Sequence, residues 1–246
     1  MATVSALPPK ADADPRAGRA LAKVMLVVLT KEEATMQLSE NPIPVASKRV
    51  PWNKGKLTGA KPPLRPKNVW SIRTKLQMAD RKRDLALFNL AVDSKLRGCD
   101  VCALKIEDIA PHGYAVDRAT IRQKKTGRPV RFELTEQTRQ ALDDYLSMVN
   151  RERGDFLFAA RRQPGRALSI RQYSRLVGNW INGIGLDRCL FGTHSLRRTK
   201  ATLIYRRTGN LRAVQLLLGH TKIESTVRYL GVEVDDALAI AEQIDV

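Results

Sequence analysis

From Asn68 to about Leu230, apolar side chains recur three or four residues apart, and this helical spacing gives way to another pattern only once. That limits the chain to a mainly helical body with a small antiparallel β-sheet, an α+β protein. Val69, Ile72, Leu76 and Met78 predict one helix, and Leu85, Leu87, Leu90 and Ala91 a second. Val101, Leu104 and Ile106 follow a bend at Arg97–Gly98. The pattern changes between Ile106 and Leu134, where Val116, Ile121, Val130, Phe132 and Leu134 flank the turn-forming Thr126-Gly127-Arg128-Pro129. This reads as a short hairpin. Thr135 is placed to cap a helix carrying Leu142, Tyr145, Leu146 and Val149. A loop is expected around Pro164 and Gly165. Helices then resume at Ser169, separated by Gly183, Gly185, Gly209, Gly219 and Gly231 in the manner of C-cap glycines.

The segment before this body has a different texture. Pro8, Pro9, Pro15, Pro42, Pro44 and Pro51 punctuate it, and only residues 17–38 have a pattern that suits helix. Residues 50–66 are rich in Pro, Gly and Lys and read as a basic linker. The expected division is therefore residues 1–66, a Pro-rich, basic segment and linker that is partly disordered or a truncated domain, and residues 67–246, the folded body. Lys54 and Lys56 in the linker suit a phosphate backbone, and equally suit an ordinary solvated linker.

Charge narrows the partners. The formal net charge is +18, from 43 Lys and Arg against 25 Asp and Glu. Residues 1–50 carry seven basic and five acidic side chains, so almost all of the excess lies in the remainder. A compact body with that much like charge repels itself unless a polyanion balances it, which points to nucleic acid. The 43% hydrophobic content excludes a wholly disordered chain. Three cysteines are too few for a disulfide framework. Cys99 and Cys102 form a C-x-x-C pair without a second pair at zinc-ligand spacing, so they read as buried thiols and no metal is expected. The apolar run Leu21–Leu29 is interrupted by Lys23 and is too short to span a bilayer. A cytoplasmic, DNA-associated protein without a membrane anchor is expected.

The candidate chemistry collects in the C-terminal third. Thr193-His194-Ser195-Leu196-Arg197-Arg198 begins a helix, with Thr193 as a plausible cap. His194 and Arg197, three apart, share a face that offers a proton-transfer group and a phosphate clamp. Leu216-Leu217-Leu218-Gly219-His220 ends an apolar helix at a glycine and presents His220 at the turn. Thr221 and Glu224 suit a capping box for a short helix from Lys222 to Leu230, which carries Tyr229. A phenol is a poor nucleophile unless cations stabilise its developing charge. This neighbourhood supplies them, although a plain core tyrosine fits the same spacing. Arg97 and Asp100 stand three apart at a helix start, so that the carboxylate can orient the guanidinium. Lys124 and Lys125 sit at the hairpin tip.

Together these residues resemble the phage-integrase or tyrosine recombinase family. They are Arg97 in L-R-x-x-D, Lys125 in K-T-G on a hairpin, His194 and Arg197 in H-x-L-R, His220 in L-L-G-H and Tyr229 in V-R-Y, in the family's order. The resemblance covers roughly residues 68–246. It implies a recombinase catalytic-domain fold and a site-specific recombinase or integrase that cuts and rejoins double-stranded DNA without ATP, metal or other cofactor. In that reading Tyr229 is the nucleophile, forming a 3′-phosphotyrosyl bond. Arg97, Arg197 and His220 hold the phosphate, Lys125 protonates the leaving 5′-oxygen, His194 assists as a base and Asp100 supports from behind. Lys124, Arg198, Lys54 and Lys56 would contact DNA.

The resemblance also implies a C-terminal helix, with Val234, Leu238, Ile240 and Ala241, that docks on a neighbouring subunit of a homo-tetramer, and possible accessory DNA-bending proteins. Residues 1–66 depart from the family's larger N-terminal helical domain, which closes around DNA, so the resemblance implies a truncated DNA-clamp domain there. Two alternatives share the residues: a non-catalytic DNA-binding protein of the same fold, and a type IB topoisomerase-like enzyme.

Overall fold

The computed structural model describes residues 60–231, apart from Arg151, together with Glu242. Lys54, Lys56 and the C-terminal helix expected from Val234, Leu238, Ile240 and Ala241 lie outside the described residues, as does residues 17–38.

Nine helices and two two-stranded sheets follow in chain order among the described residues. They are α1 (Pro66–Met78), α2 (Lys82–Ser94), α3 (Gly98–Ala103), α4 (Ile106–Ile109), β1 (Arg118–Arg122), β2 (Pro129–Glu133), α5 (Glu136–Leu146), β3 (Ala159–Ala160), β4 (Gln163–Ala167), α6 (Ile170–Gly183), α7 (Thr193–Thr208), α8 (Leu211–Leu218) and α9 (Ile223–Leu230). The centre is α2, which is apolar nearly all round and buried accordingly. Ala86, Leu87, Phe88, Leu90 and Ala91 have almost no exposure, and α2 packs against α5 on one side and α7 on another. Each fully buried Leu or Phe contributes about 1.5–3 kcal/mol. Phe88 meets Trp180 of α6 edge to face, with ring centroids 5.7 Å apart. Val69, Ile72 and Leu76 of α1 are buried as their spacing predicts, but Met78 is exposed where α1 ends.

The hairpin forms where expected, with Arg118 opposite Glu133 and Ile121 opposite Val130. Ala119, Ile121, Val130 and Phe132 supply its buried face. Several other expectations are corrected. The loop around Pro164 and Gly165 is a second antiparallel hairpin, β3–β4. Its residues Arg161-Arg162-Gln163-Pro164-Gly165-Arg166 have no alternation, so period two was not visible. Thr135 is the N-cap residue of α5, but its hydroxyl donates to Asp93 (2.7 Å) instead of accepting from the helix, and α5 stops at Leu146, short of Val149. Gly209, Gly219 and Gly231 are left-handed C-caps, whereas Gly183 is the last residue of α6.

The basic stretch before Pro66 is also corrected. Its described part is docked on the body. Leu64 is buried, its N–H donates to Thr199 Oγ1 (3.0 Å), and Lys61 Nζ donates to the carbonyls of Cys189 (3.0 Å) and Phe191 (2.9 Å). A single Leu in a polar run gave no periodic signal.

A buried polar network joins α2, β2, α5 and α7. Asp93 accepts from Lys200 Nζ (2.9 Å), Thr135 N (2.9 Å) and Thr138 Oγ1 (2.6 Å), and Glu133 accepts from Lys95 and Lys200 (both 2.9 Å). Burial raises the pKa of both carboxyls, but Lys200, Thr138 and Thr135 at Asp93 and Lys95 and Lys200 at Glu133 outweigh it, so both are held below the usual carboxylate range. Among the described residues no helix is long and apolar enough to cross a membrane. Burial pushes the Cys102 thiol up to about 12, as suits a structural cysteine.

Candidate active site

Three elements that are distant in sequence bring the candidate residues to one basin: the start of α3, the tip of the β1–β2 hairpin, and the α7–α9 bundle. Arg97 is the extended N-cap residue of α3, half-buried, and its Nη1 donates to Gln123 Oε1. Asp100 does not hold Arg97. Its Oδ1 accepts from the Lys124 N–H (2.8 Å), which pins the hairpin tip to α3. Lys124 and Lys125 are exposed in the turn.

Helix α7 begins one residue earlier than expected from Thr193. The cap is extended Gly192, whose N–H donates to Ser195 Oγ (3.2 Å). One turn in, Arg197 is 2% exposed, with Nη2 donating to the Leu218 carbonyl (2.9 Å). Its Nη1 is buried without a hydrogen-bond partner among the described residues. Arg198 follows, with Nη1 on the Lys61 carbonyl (2.9 Å).

Helix α8 stops at Gly219 (φ +66°) because a side chain there is excluded twice. The left-handed backbone disfavours it, and an added Cβ would lie 2.5 Å from Val130 Cγ2. The chain then turns to His220, whose Nδ1 lies 3.1 Å from buried Thr226 Oγ1. Helix α9 starts at Ile223 with Lys222 as cap residue, and no side chain caps it, so the expected Thr221–Glu224 box is absent. A small apolar cluster of Ala201, Val214 and Leu218 seats α9 through Tyr229 and Leu230.

Tyr229 thereby faces the basin. Its hydroxyl is 3.5 Å from the His194 carbonyl, and its ring lies edge to face with His220 at 5.5 Å. The guanidinium carbons of Arg197 and Arg198 stand 5.7 Å and 4.8 Å from the ring centroid.

The electrostatics follow from burial beside cations. His220 is pushed down to about 4 by burial, then by Arg197 and Arg97. His194 is lowered by burial, then by the fields of three arginines, Arg197, Arg198 and Arg97, and of the hairpin's Lys125. Both imidazoles are therefore neutral near pH 7. Burial raises the Tyr229 phenol, and the two guanidiniums offset this only in part.

Gln123, Thr226 and Lys61 were not anticipated. For Gln123 a signal existed. It continues the inward series Ala119, Ile121, so a polar residue falls on the buried face of the strand. Thr226 and Lys61 act through contacts that no local pattern announces.

Solved structures share this fold. XerA recombinase superposes with a TM-score of 0.61 at 21% identity, covering 74% of this chain and 63% of that one. XerH site-specific recombinase bound to difH substrate gives 0.58 at 23% identity, covering 75% and 55%. The fold is that of the recombinase and integrase catalytic domains. The phage integrase family model matches residues 63–235, and the chain belongs to that family. Probable integrase/recombinase YoeC of Bacillus subtilis is 28% identical over 160 residues, 64% of this chain and 82% of YoeC. Tyrosine recombinase XerC of Neisseria gonorrhoeae is 31% identical over 155 residues, 62% of this chain and 48% of XerC. The chain thus spans most of YoeC's length but about half of XerC's.

Proposed function

We propose that this protein is a site-specific DNA recombinase or integrase that works through a 3′-phosphotyrosyl intermediate. The observation that carries the reading is the pairing of Tyr229 with Arg197, a guanidinium 2% exposed whose Nη1 has no partner among the described residues. An unpaired buried cationic donor is costly, and a phosphate oxygen beside the phenol would satisfy it.

In this mechanism Tyr229 Oη attacks a backbone phosphorus. The Oη–P bond forms as the P–O5′ bond breaks, and the electron pair leaves with the 5′-oxygen, which takes a proton from Lys125. The phenol's own proton passes to neutral His194. Arg97 and Arg197 bind the non-bridging oxygens and His220 donates a further hydrogen bond through the nitrogen not facing Thr226. Such preorganised charge is the largest single source of rate. The phosphotyrosyl bond conserves the energy of the broken phosphodiester, so the reverse attack by a 5′-hydroxyl reseals a strand without ATP. Asp100 supports the site through the Lys124 amide, and Lys54, Lys56, Lys124 and Arg198 contact the duplex. The reading extends to a cytoplasmic, DNA-associated location and to a tetramer on DNA through exchange of the C-terminal segment, with accessory DNA-bending proteins as further partners.

The test is a suicide substrate, nicked DNA taken from the flanks of the protein's own gene. A covalent adduct with the wild-type protein and none with Tyr229→Phe is expected. An adduct that persists in Tyr229→Phe removes Tyr229 from the reaction. Tight binding without any adduct favours a non-catalytic DNA-binding protein, and ATP-independent relaxation of supercoiled DNA without strand exchange favours a topoisomerase.

A further inference from the structure

One buried amide ties the parts of the basin together. Gln123, the residue that follows β1, is 1% exposed. Its Oε1 accepts from Arg97 Nη1 and from Thr126 Oγ1 (2.9 Å). Its Nε2 donates to the Leu218 carbonyl (3.2 Å), the oxygen that also accepts Arg197 Nη2 (2.9 Å). The amide orientation is set by its neighbours. Flipped, it would aim its NH2 at a guanidinium and its oxygen at a carbonyl. One side chain therefore touches Arg97, the turn that carries Lys125, and the end of α8 two residues before His220. The close approach depends on Gly219, where a Cβ would lie 3.0 Å from Gln123 Nε2.

We propose that Gln123 is a positioning residue for DNA cleavage. It fixes the Arg97 guanidinium in register with Arg197 by bonding one and sharing a carbonyl acceptor with the other. This rests on the recombinase reading above. Without the amide oxygen, Arg97 loses its bond to the hairpin and its fork is free to swing away from a phosphate. A displacement of about 1 Å at a reacting centre can cost up to about 10² in rate.

The experiment compares wild type, Gln123→Leu and Gln123→Glu for the rate of covalent adduct formation, DNA affinity and thermal unfolding. A parallel substrate carries sulfur at the bridging 5′ position, where a thiolate leaves without needing a proton. Gln123→Leu is expected to cleave about 10–10²-fold more slowly with DNA affinity little changed. Gln123→Glu keeps the acceptor for Arg97 and Thr126 but loses the donor to the Leu218 carbonyl, so it should recover part of the rate. On the sulfur substrate Lys125→Ala should regain speed while Gln123→Leu stays slow, because the lost element is the clamp and not the acid.

Wild-type cleavage by Gln123→Leu, or full rescue of it by sulfur, overturns the inference alone. A loss that follows reduced binding or a lowered melting temperature, with Gln123→Glu no better, makes the residue structural and also overturns it. A wild-type protein that forms no adduct overturns the recombinase reading and this inference with it.

Discussion

The guanidinium of Arg198 stands 4.8 Å from the centroid of the Tyr229 ring while its Nη1 is anchored on the carbonyl of Lys61. The docked segment before α1 thus fixes a cation against the candidate nucleophile's ring. A cation over an aromatic face contributes about 0.5–2 kcal/mol. Arg198→Ala should therefore slow covalent capture by about tenfold, measured as single-turnover adduct formation. An unchanged rate would limit Arg198 to DNA contact.

Arg197→Lys should reduce the cleavage rate by about 10²–10³, although the charge is kept. A lysine cannot serve the Leu218 carbonyl and a phosphate oxygen from one planar fork. Single-turnover rates at saturating DNA separate this from weaker binding.

Gly219→Ala should destabilise the fold by about 1–3 kcal/mol. The alanine meets a left-handed backbone and the Val130 side chain at once. Urea unfolding reads the change directly, and a shift below half of that range would mean that α8 retreats freely from the hairpin.

Asp93→Ala should cost about 3 kcal/mol by leaving Lys200 and the Thr135 and Thr138 hydroxyls without their shared acceptor. Because the network joins α2 to α5 and α7, the variant should unfold at lower urea while Tyr229 chemistry at low temperature persists. Equal stability would show that the network is dispensable.

The histidines set an acid limit. His220 is held at about 4 and His194 is also lowered by burial and neighbouring guanidiniums, so the unfolded chain binds these protons more readily than the folded one. Their contribution is fully present above about pH 6.5 and is lost as pH falls toward the folded values. The melting temperature should therefore drop between about pH 6.5 and about pH 4.5, and drop less in His220→Gln. Asp93 and Glu133, held low, lose their contributions only at more acid pH, which keeps the two effects apart.

What the sequence determined by itself was local and periodic. The 3.6-residue stripes of α1 and α2, the alternation at Ile121, Val130 and Phe132, and the glycine stops at 209, 219 and 231 express one element's chemistry and needed no partner. The six candidate residues from Arg97 to Tyr229 were legible only together, as short motifs whose order resembles that of the phage integrase family. Tertiary structure decided what depends on a distant atom. Asp100 turned from its near neighbour Arg97 to the Lys124 amide, Thr135 gave its hydroxyl to Asp93 instead of its own helix, and Leu64 buried itself without any periodic signal. Gln123 found Arg97 and the Leu218 carbonyl, both distant in sequence, and shares that carbonyl with Arg197. A buried polar atom must take whatever partner the packed fold brings within about 3 Å, and only the fold determines which partner that is.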